Sequence, residues 1–505
     1  MNIRISTLSP VLLAAACAGA AFAQGTSCES LASLSLPDAA ITMSQSVPAG
    51  SLTAPGRGGR GGAPLDVPAF CRVAATLKPS ADSEIKMEVW LPAANWNGNL
   101  EARGNGGWTG SINLGDLADG LKRGYASTMS DLGHEGGSAS FALGHPEKLT
   151  DFGYRAAHEM TVAAKAIVGK YYGRAAKYSF WNGCSAGGRS ALMEAQRYPD
   201  DYDGIVAGSP GLNWTGRATQ AIWIAQATHK DEASFIPPAK FAVIHKAAIE
   251  ACDARDGAKD GIIEDPTRCH FDPKELECKD ADGPSCLTKA QVSTVQAIYA
   301  TYPNQSNQHD LFPGFEPGSE LGWNTMAGPN PFAPGADLFK FVVFQDPNWD
   351  YKTFNFATDV ARTEKAGAMT NAMDPDLKGF ERHGGKLIQY HGWADPQIAP
   401  GSSVNYYKDV LETMGGAGKV QSFYRLFMVP GMAHCGGGEG TSTFDMLTAL
   451  EQWVEKGQAP AQISASRTRN GQVDRTRPLC PYPQVATYKG SGSIDDAANF
   501  VCKAQ

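Results

Sequence analysis

The segment Gly183-Cys184-Ser185-Ala186-Gly187 fits the pattern G-x-S-x-G. A serine so placed is a nucleophile when a strand runs into it and a helix leaves it, because the sharp turn projects its hydroxyl from the sheet edge. Small neighbours let strand and helix approach. The helix N-terminus adds positive potential, and the Ala186 N–H would face a developing oxyanion. Five residues of this kind also arise by chance in Gly/Ser loops. Here the aromatic stretch 178–181 reads as the strand before, and 186–197 reads as the helix after.

A serine nucleophile needs a base, and the base needs an orienting acid. In sheets with this elbow they follow in the order Ser, acid, His. His434 lies in Pro430-Gly431-Met432-Ala433-His434-Cys435, and Asp395 lies in His391-Gly392-Trp393-Ala394-Asp395. Both segments follow strand-like runs (424–429 and 386–390), where catalytic groups gather in α/β sheets. His391 reads as packing behind the acid, and His134, after another strand, as a residue lining the site. A second oxyanion donor would come from Gly104-Asn105-Gly106-Gly107-Trp108, with Gly107 N–H as the candidate. That glycine cluster taken by itself is equally a tight turn.

These residues have to be positioned by regular elements. Residues 85–91, 125–129, 178–181, 204–207, 386–390 and 424–429 read as strands. Residues 153–172, 186–197 and 444–455 have helical spacing of apolar positions. Strands alternating with helices imply an α/β fold with a mostly parallel sheet covered on both faces. The rhythm is lost over 212–380, which reads as a lid domain inserted between two core parts, 24–211 and 381–505. Residues 24–64 read as polar and irregular. Gly-Arg-Gly-Gly-Arg-Gly-Gly within them lacks the strand and helix that a phosphate-binding loop requires.

The first 23 residues read as a secretory signal, with Arg4, an apolar stretch from Val11 to Ala21 and cleavage after Ala21-Phe22-Ala23. A lipoprotein signal ending at Cys17 ranks lower, because the expected Leu is displaced by one position. The destination is therefore periplasmic or secreted, where disulfides persist. Of 11 cysteines, ten follow the signal. Local pairing would join Cys252 to Cys269, Cys278 to Cys286 and Cys480 to Cys502. Cys184 precedes the serine and Cys435 follows the histidine, so a disulfide between them would staple nucleophile to base and leave Cys28 for Cys71. Two buried free thiols are the alternative; the even count in an exported chain favours the disulfide.

Composition excludes several classes. The 505-residue chain carries a net charge of −8 with no dense basic run, which disfavours a nucleic-acid partner. Beyond the leader no apolar run reaches membrane-spanning length. No CxxC pair has histidines at zinc-finger spacing.

Taken together, Gly-Cys-Ser-x-Gly-Gly-Arg at 183–189, His-Gly-Trp-Ala-Asp at 391–395 and Gly-Met-x-His-Cys at 431–435 resemble the tannase/feruloyl esterase family, over nearly the whole mature chain. The resemblance implies an α/β-hydrolase core with a large lid. It implies Ser185, Asp395 and His434 as triad, Gly107 and Ala186 as oxyanion donors, and the Cys184–Cys435 disulfide. It also implies a structural calcium ion in the lid. The segment from Cys252 to Ile262 offers three carboxylates within eight residues, though not at EF-hand spacing. Asp253, Asp256 and Asp260 would bind by side chain, Ala258 and Ile262 by carbonyl. No redox cofactor is needed.

The family includes tannases, feruloyl esterases and the related mono(2-hydroxyethyl) terephthalate hydrolases. Trp323, Phe332, Phe339, Phe341, Phe344, Trp349, Tyr351 and Phe354 could wall a pocket for a planar acyl group or form lid core. Trp393 and Gln397 flank the acid as pocket candidates. A substrate carboxylate would favour an arginine partner, and none lies between Arg268 and Arg362. The expected substrate is thus a small phenolic acid ester, feruloyl- or galloyl-type, ahead of an aromatic dicarboxylic monoester. A catalytically inactive binding protein of the same fold, and a peptidase, are the alternatives of other classes.

Overall fold

Phe180 and Trp181 are neighbours in sequence and enter different buried clusters on opposite faces of one sheet. The same alternation separates Ile205 from Val206, Leu387 from Ile388 and Leu426 from Phe427. Strands apolar on both sides are what a sheet sandwiched between helices demands.

The computed structural model describes residues 25–53, 64–303 and 310–504. The expected leader 1–23, with Cys17, and most of the Gly/Arg-rich loop lie outside the described residues. Nine strands form the central sheet: β1 (Ala39–Val47), β2 (Phe70–Leu77), β3 (Ile85–Pro92), β4 (Leu100–Arg103), β5 (Ala126–Ser130), β6 (Ser179–Cys184), β7 (Gly204–Gly208), β8 (Lys386–Gly392) and β9 (Tyr424–Val429). Their order is β1-β2-β3-β5-β4-β6-β7-β8-β9. The first three neighbour pairings are antiparallel and the following five are parallel. This is an α/β-hydrolase-type sheet. On one face pack α1 (Leu114–Lys122), against Trp90 and Met129, and the late helix Met446–Lys456, against Phe180, Val206 and Phe427. The other face carries α2 (Ala156–Tyr172) and α3 (Ala186–Arg197), against Trp181 and Ile205.

Among the described residues, segment 212–380 contributes no strand to this sheet. It holds α4 (Trp214–Thr228), α5 (Phe241–Cys252) and α6 (Lys289–Tyr299) around its own core of Ile224, Phe241, Val295 and Trp323. α6 begins with a capping box between Thr288 and Gln291. The insertion is bolted to the sheet domain by backbone acceptors. Trp108 Nε1 donates to Pro334 O at 2.8 Å, and Gln196 Nε2 donates to Ala372 O at 3.0 Å.

One expectation needs correction. Residues 24–64 are not irregular throughout: β1 pairs along its length with β2, and the short strands Gly50–Thr53 and Pro64–Val67 form a ribbon. An edge strand with one partner is half solvated, so β1 mixes Thr42, Ser44, Gln45 and Ser46 with its apolar residues and lacks a clean alternation. The structure contains five disulfides: Cys28–Cys71, Cys184–Cys435, Cys252–Cys269, Cys278–Cys286 and Cys480–Cys502. They fit an oxidising, extracellular-type compartment. Among the described residues no helix is long and apolar enough to cross a membrane.

Candidate active site

β6 ends at Cys184 and α3 begins at Ala186, so Ser185 alone makes the turn, at φ 63° and ψ −121°. A non-glycine residue rarely adopts that backbone, and the cost is borne by surrounding contacts. Ser185 N–H donates to Gly208 O at 2.9 Å and its carbonyl accepts from Arg189 N at 3.0 Å. The motif glycines are there for clearance. A Cβ on Gly183 would lie 2.5 Å from Gly187 O, and one on Gly187 would lie 2.8 Å from the Gly104 Cα. Arg189 is fully buried beneath the elbow. It donates to the carbonyls of Phe152 and Gly153 at 2.8 and 2.7 Å and stacks over Phe152 and Trp214.

Ser185, His434 and Asp395, expected far apart in sequence to converge, lie in one hydrogen-bonded line. His434 Nε2 is 2.9 Å from Ser185 Oγ, and His434 Nδ1 is 2.7 Å from Asp395 Oδ2. Asp395 has no exposed surface. Its Oδ1 accepts the N–H groups of Gln397 and Ile398 at 2.8 and 3.0 Å. Burial by itself would raise this carboxyl, but the His434 charge and the bonds from His391 and His434 outweigh it and hold it well below the usual carboxylate range. The Cys184–Cys435 disulfide, with Cα atoms 6.0 Å apart, joins the residues flanking serine and histidine.

His391 does more than pack behind the acid. Its Nε2 is 3.2 Å from Asp395 Oδ2 and 3.1 Å from Ile398 O, and its Nδ1 is 2.7 Å from Ser403 Oγ. Behind it Gln389 Nε2 donates to Ser403 Oγ at 2.7 Å, and the Tyr424 hydroxyl bonds Gln389 Oε1. Tyr424 gives its proton to the Gln389 carbonyl, and the Gln389 amide gives one to Ser403. His391 Nε2 faces two acceptors, Asp395 Oδ2 and Ile398 O, so it carries a hydrogen toward them, and in the neutral ring Ser403 donates to Nδ1. A predicted strand end announces His391; nothing in the sequence announces Ser403, Gln389 and Tyr424 as its support.

A cleft of about 530 Å³ opens above the serine, lined by Gly107, Ser185, Gln397, His434, Arg103 and Asp116 among others. Gly107 has φ 53°, and Ala186 is buried at the first position of α3. The Asn105 amide pins the glycine loop, donating to Ser111 O at 2.9 Å and Ser130 O at 3.1 Å. Of the two residues flanking the acid, Gln397 borders this cleft. Trp393 does not: it is buried and faces a separate cavity of about 60 Å³ with His245 and Ile262. The reason is local, since Trp393 N–H bonds Val429 O and keeps the residue in register with the sheet while the chain turns only afterwards. The aromatic stretch of the insertion is also not a wall of this cleft. Phe339, Phe344 and Trp349 stack on one another and Phe354 meets Phe339 edge-on, all within or against the core. His134 supports the glycine loop, with Nε2 2.8 Å from Trp108 O and its ring stacked on Phe141. Burial holds its basicity below the ordinary value.

An arginine does border the cleft, and it comes from β4 rather than from the insertion, whose stretch between Arg268 and Arg362 holds no arginine. Arg103 Nε lies 3.0 Å from Glu101 Oε1, so that cation is already matched by a buried carboxylate. Burial raises the Asp116 carboxyl beside it.

The acidic loop after α5 has a donor set suited to a hard cation. Asp253 accepts from the N–H groups of Asp260 and Gly261, Asp256 from Ala258, and Asp260 from Ile262. Asp260 also pairs with Arg475 and Arg477. Ala258 and Ile262 are buried, and the half-buried Glu264 joins the cluster from two residues further on. Four carboxyls facing two arginines fit a divalent ion by chemistry. The oxygens of Asp253, Asp256 and Asp260 are not gathered within 4.8 Å of one another, so binding has to draw them in.

The family model described as "Tannase and feruloyl esterase" matches residues 71–503. The chain belongs to this family. It is 39% identical to an uncharacterized esterase of Xanthomonas campestris, over 99% of this chain and 95% of that one. It is 35% identical to a probable feruloyl esterase B-1 of Aspergillus fumigatus, over 88% of each. Among solved structures, feruloyl esterase B from Aspergillus oryzae superposes with a TM-score of 0.88 at 33% identity, covering 94% of this chain and 99% of that one. Tannin acyl hydrolase from Aspergillus niger shares the fold, with a TM-score of 0.78 at 22% identity over 93% and 92%. As a member of the family, the chain is a carboxylic ester hydrolase.

Proposed function

We propose that this esterase hydrolyses phenolic acid esters of feruloyl or galloyl type through an acyl-enzyme on Ser185. The observation that carries the reading is the line from Ser185 through His434 to Asp395 at the floor of an open cleft. His434 Nε2 accepts the serine proton as Oγ attacks the ester carbonyl. Asp395 holds the imidazole by Nδ1 and offsets the positive charge it gains. The N–H groups of Gly107 and Ala186 receive the oxyanion. His434 then returns its proton to the leaving alcohol, and a water deprotonated by the same nitrogen frees the acid.

The substrate class rests on the relatives, whose names include feruloyl esterase and tannin acyl hydrolase. Arg103 favours a second reading, an aromatic dicarboxylic monoester whose free carboxylate meets that guanidinium. It ranks below the first because Glu101 already occupies Arg103. Rates for methyl ferulate, methyl gallate and a terephthalate monoester, compared as kcat/KM, decide between them. Turnover of the terephthalate monoester alone reverses the order.

We further propose that Asp253, Asp256 and Asp260, with the carbonyls of Ala258 and Ile262, hold a structural calcium ion in the insertion, which acts as a lid. Bound there, the ion supplies charge compensation and no chemistry to the ester. Chelation lowers the melting temperature and calcium restores it; a melting temperature indifferent to both refutes the site. Export with cleavage after Ala23 belongs to the same reading, and N-terminal sequencing of the secreted protein reads it directly.

A further inference from the structure

Glu194 lies on α3, nine residues after Ser185. Its side chain is fully buried, and among the described residues neither carboxylate oxygen meets a hydrogen-bond donor. Burying an ionised carboxylate without a partner is expensive, so something must neutralise it. Two further ligands converge on it. His158 of α2 and Asp201 of the turn after α3 each present a ligand atom, and these two and one from Glu194 all lie within 4.8 Å of one another. His158 Nδ1 is 2.6 Å from Asp201 Oδ2. The Tyr198 ring stacks on the imidazole at 3.8 Å and holds its plane. Lys165 Nζ stands 3.9 Å from Asp201 Oδ1.

We propose that His158, Glu194 and Asp201 form a binding site for a divalent cation of the zinc class, with water completing the shell. One imidazole and two carboxylates are a mixed nitrogen and oxygen set of the kind zinc takes, whereas calcium and magnesium prefer oxygen alone and more of it. Two negative charges balance a doubly charged ion. The three ligands come from α2, α3 and the turn that follows, so an ion clamps the elbow helix to its neighbour. Entry is open, because the His158 and Asp201 side chains retain 27% and 12% of their exposure. Without an ion His158 and Lys165 reach Asp201 but form no bond to either Glu194 oxygen. The other three-ligand group, Cys278, Asp282 and Cys286, has both sulfurs in a disulfide and offers no thiolate.

The test is zinc titration of chelator-treated, calcium-saturated protein by calorimetry, with bound metal counted by mass spectrometry. Wild type takes up one zinc ion saturably, and its melting temperature rises with zinc. Glu194→Gln keeps the shape and can still hydrogen-bond Asp201, so the fold is retained; it and His158→Gln each weaken uptake about tenfold or more and abolish the thermal shift. Absent saturable uptake overturns the proposal. So does uptake unchanged in both variants, which puts the zinc elsewhere. A neutral carboxylic-acid infrared band that persists in excess zinc and vanishes in Glu194→Gln also overturns it, since a proton then holds the pair.

Discussion

Replacing His245 with Gln tests how the insertion is held against the loop that carries His434. His245 sits on α5. Its Nδ1 is 2.8 Å from the buried Glu320 of the insertion, and its Nε2 is 2.8 Å from Glu439, five residues after His434. Burial disfavours the charged imidazole, but the two carboxylates outweigh it and raise its titration from 6.5 to about 9. Glu439 is correspondingly lowered, chiefly by its bond to His245. A rise of that size is worth about 3 kcal/mol at ~1.4 kcal/mol per unit, and about 2 kcal/mol once solvent screening at the half-exposed Glu439 is allowed for. This stability is fully present below pH 6.5 and is lost as pH rises through 9, because the folded state binds the proton more tightly than the unfolded one. A chain of this length unfolds with an entropy near 1 kcal/mol per kelvin, so the expected loss in Tm is about 2 °C. Melting curves of wild type and His245→Gln at pH 6, 7.5 and 10 read it out. The variant melts about 2 °C lower at pH 6 and level with wild type at pH 10. Parallel curves at every pH refute the charged bridge.

Two further outcomes follow from the site. His391→Ala removes a hydrogen-bond donor from Asp395 without touching substrate, so kcat falls roughly tenfold to a hundredfold with KM retained; His391→Gln, whose amide can donate to the same oxygen, recovers part of kcat, and equal loss in both variants makes His391 mere packing. The Cys184–Cys435 link closes a loop with a sequence separation of 251, worth about 5 kcal/mol on chain-entropy grounds; the double alanine variant loses stability and kcat together, and a variant matching wild type in both contradicts the staple.

Much of this architecture is readable from the chain alone, for identifiable reasons. The strand at 424–429 and the helix at 186–197 are strongly patterned, and the elbow between strand and helix has a five-residue signature that only a tight backbone approach requires. Asp395 and His434 are legible because each follows a strand at the sheet end where Ser185 emerges. The walls of the cleft are not. Arg103 and Asp116 reach it because β4 lies between β5 and β6, an order that sequence spacing does not encode. Trp393 and the insertion's aromatics show the converse. Aromatic type marks burial as readily as substrate contact, and here stacking in a core takes those side chains. The edge strand 39–47 was hidden by its own solvation, and Glu194 by looking like any charged residue near a helix end.

The central claim is that Ser185 becomes acylated by way of His434. Intact-mass and peptide mass spectrometry on acid-quenched enzyme, taken within the first turnovers of methyl ferulate, tests it most directly. The account predicts a feruloyl adduct on the peptide carrying Ser185, its absence in Ser185→Ala, and a fall in turnover of at least about ten-thousandfold in that variant with the melting temperature kept. Turnover near the wild-type rate by Ser185→Ala, or an adduct on any other residue, contradicts it.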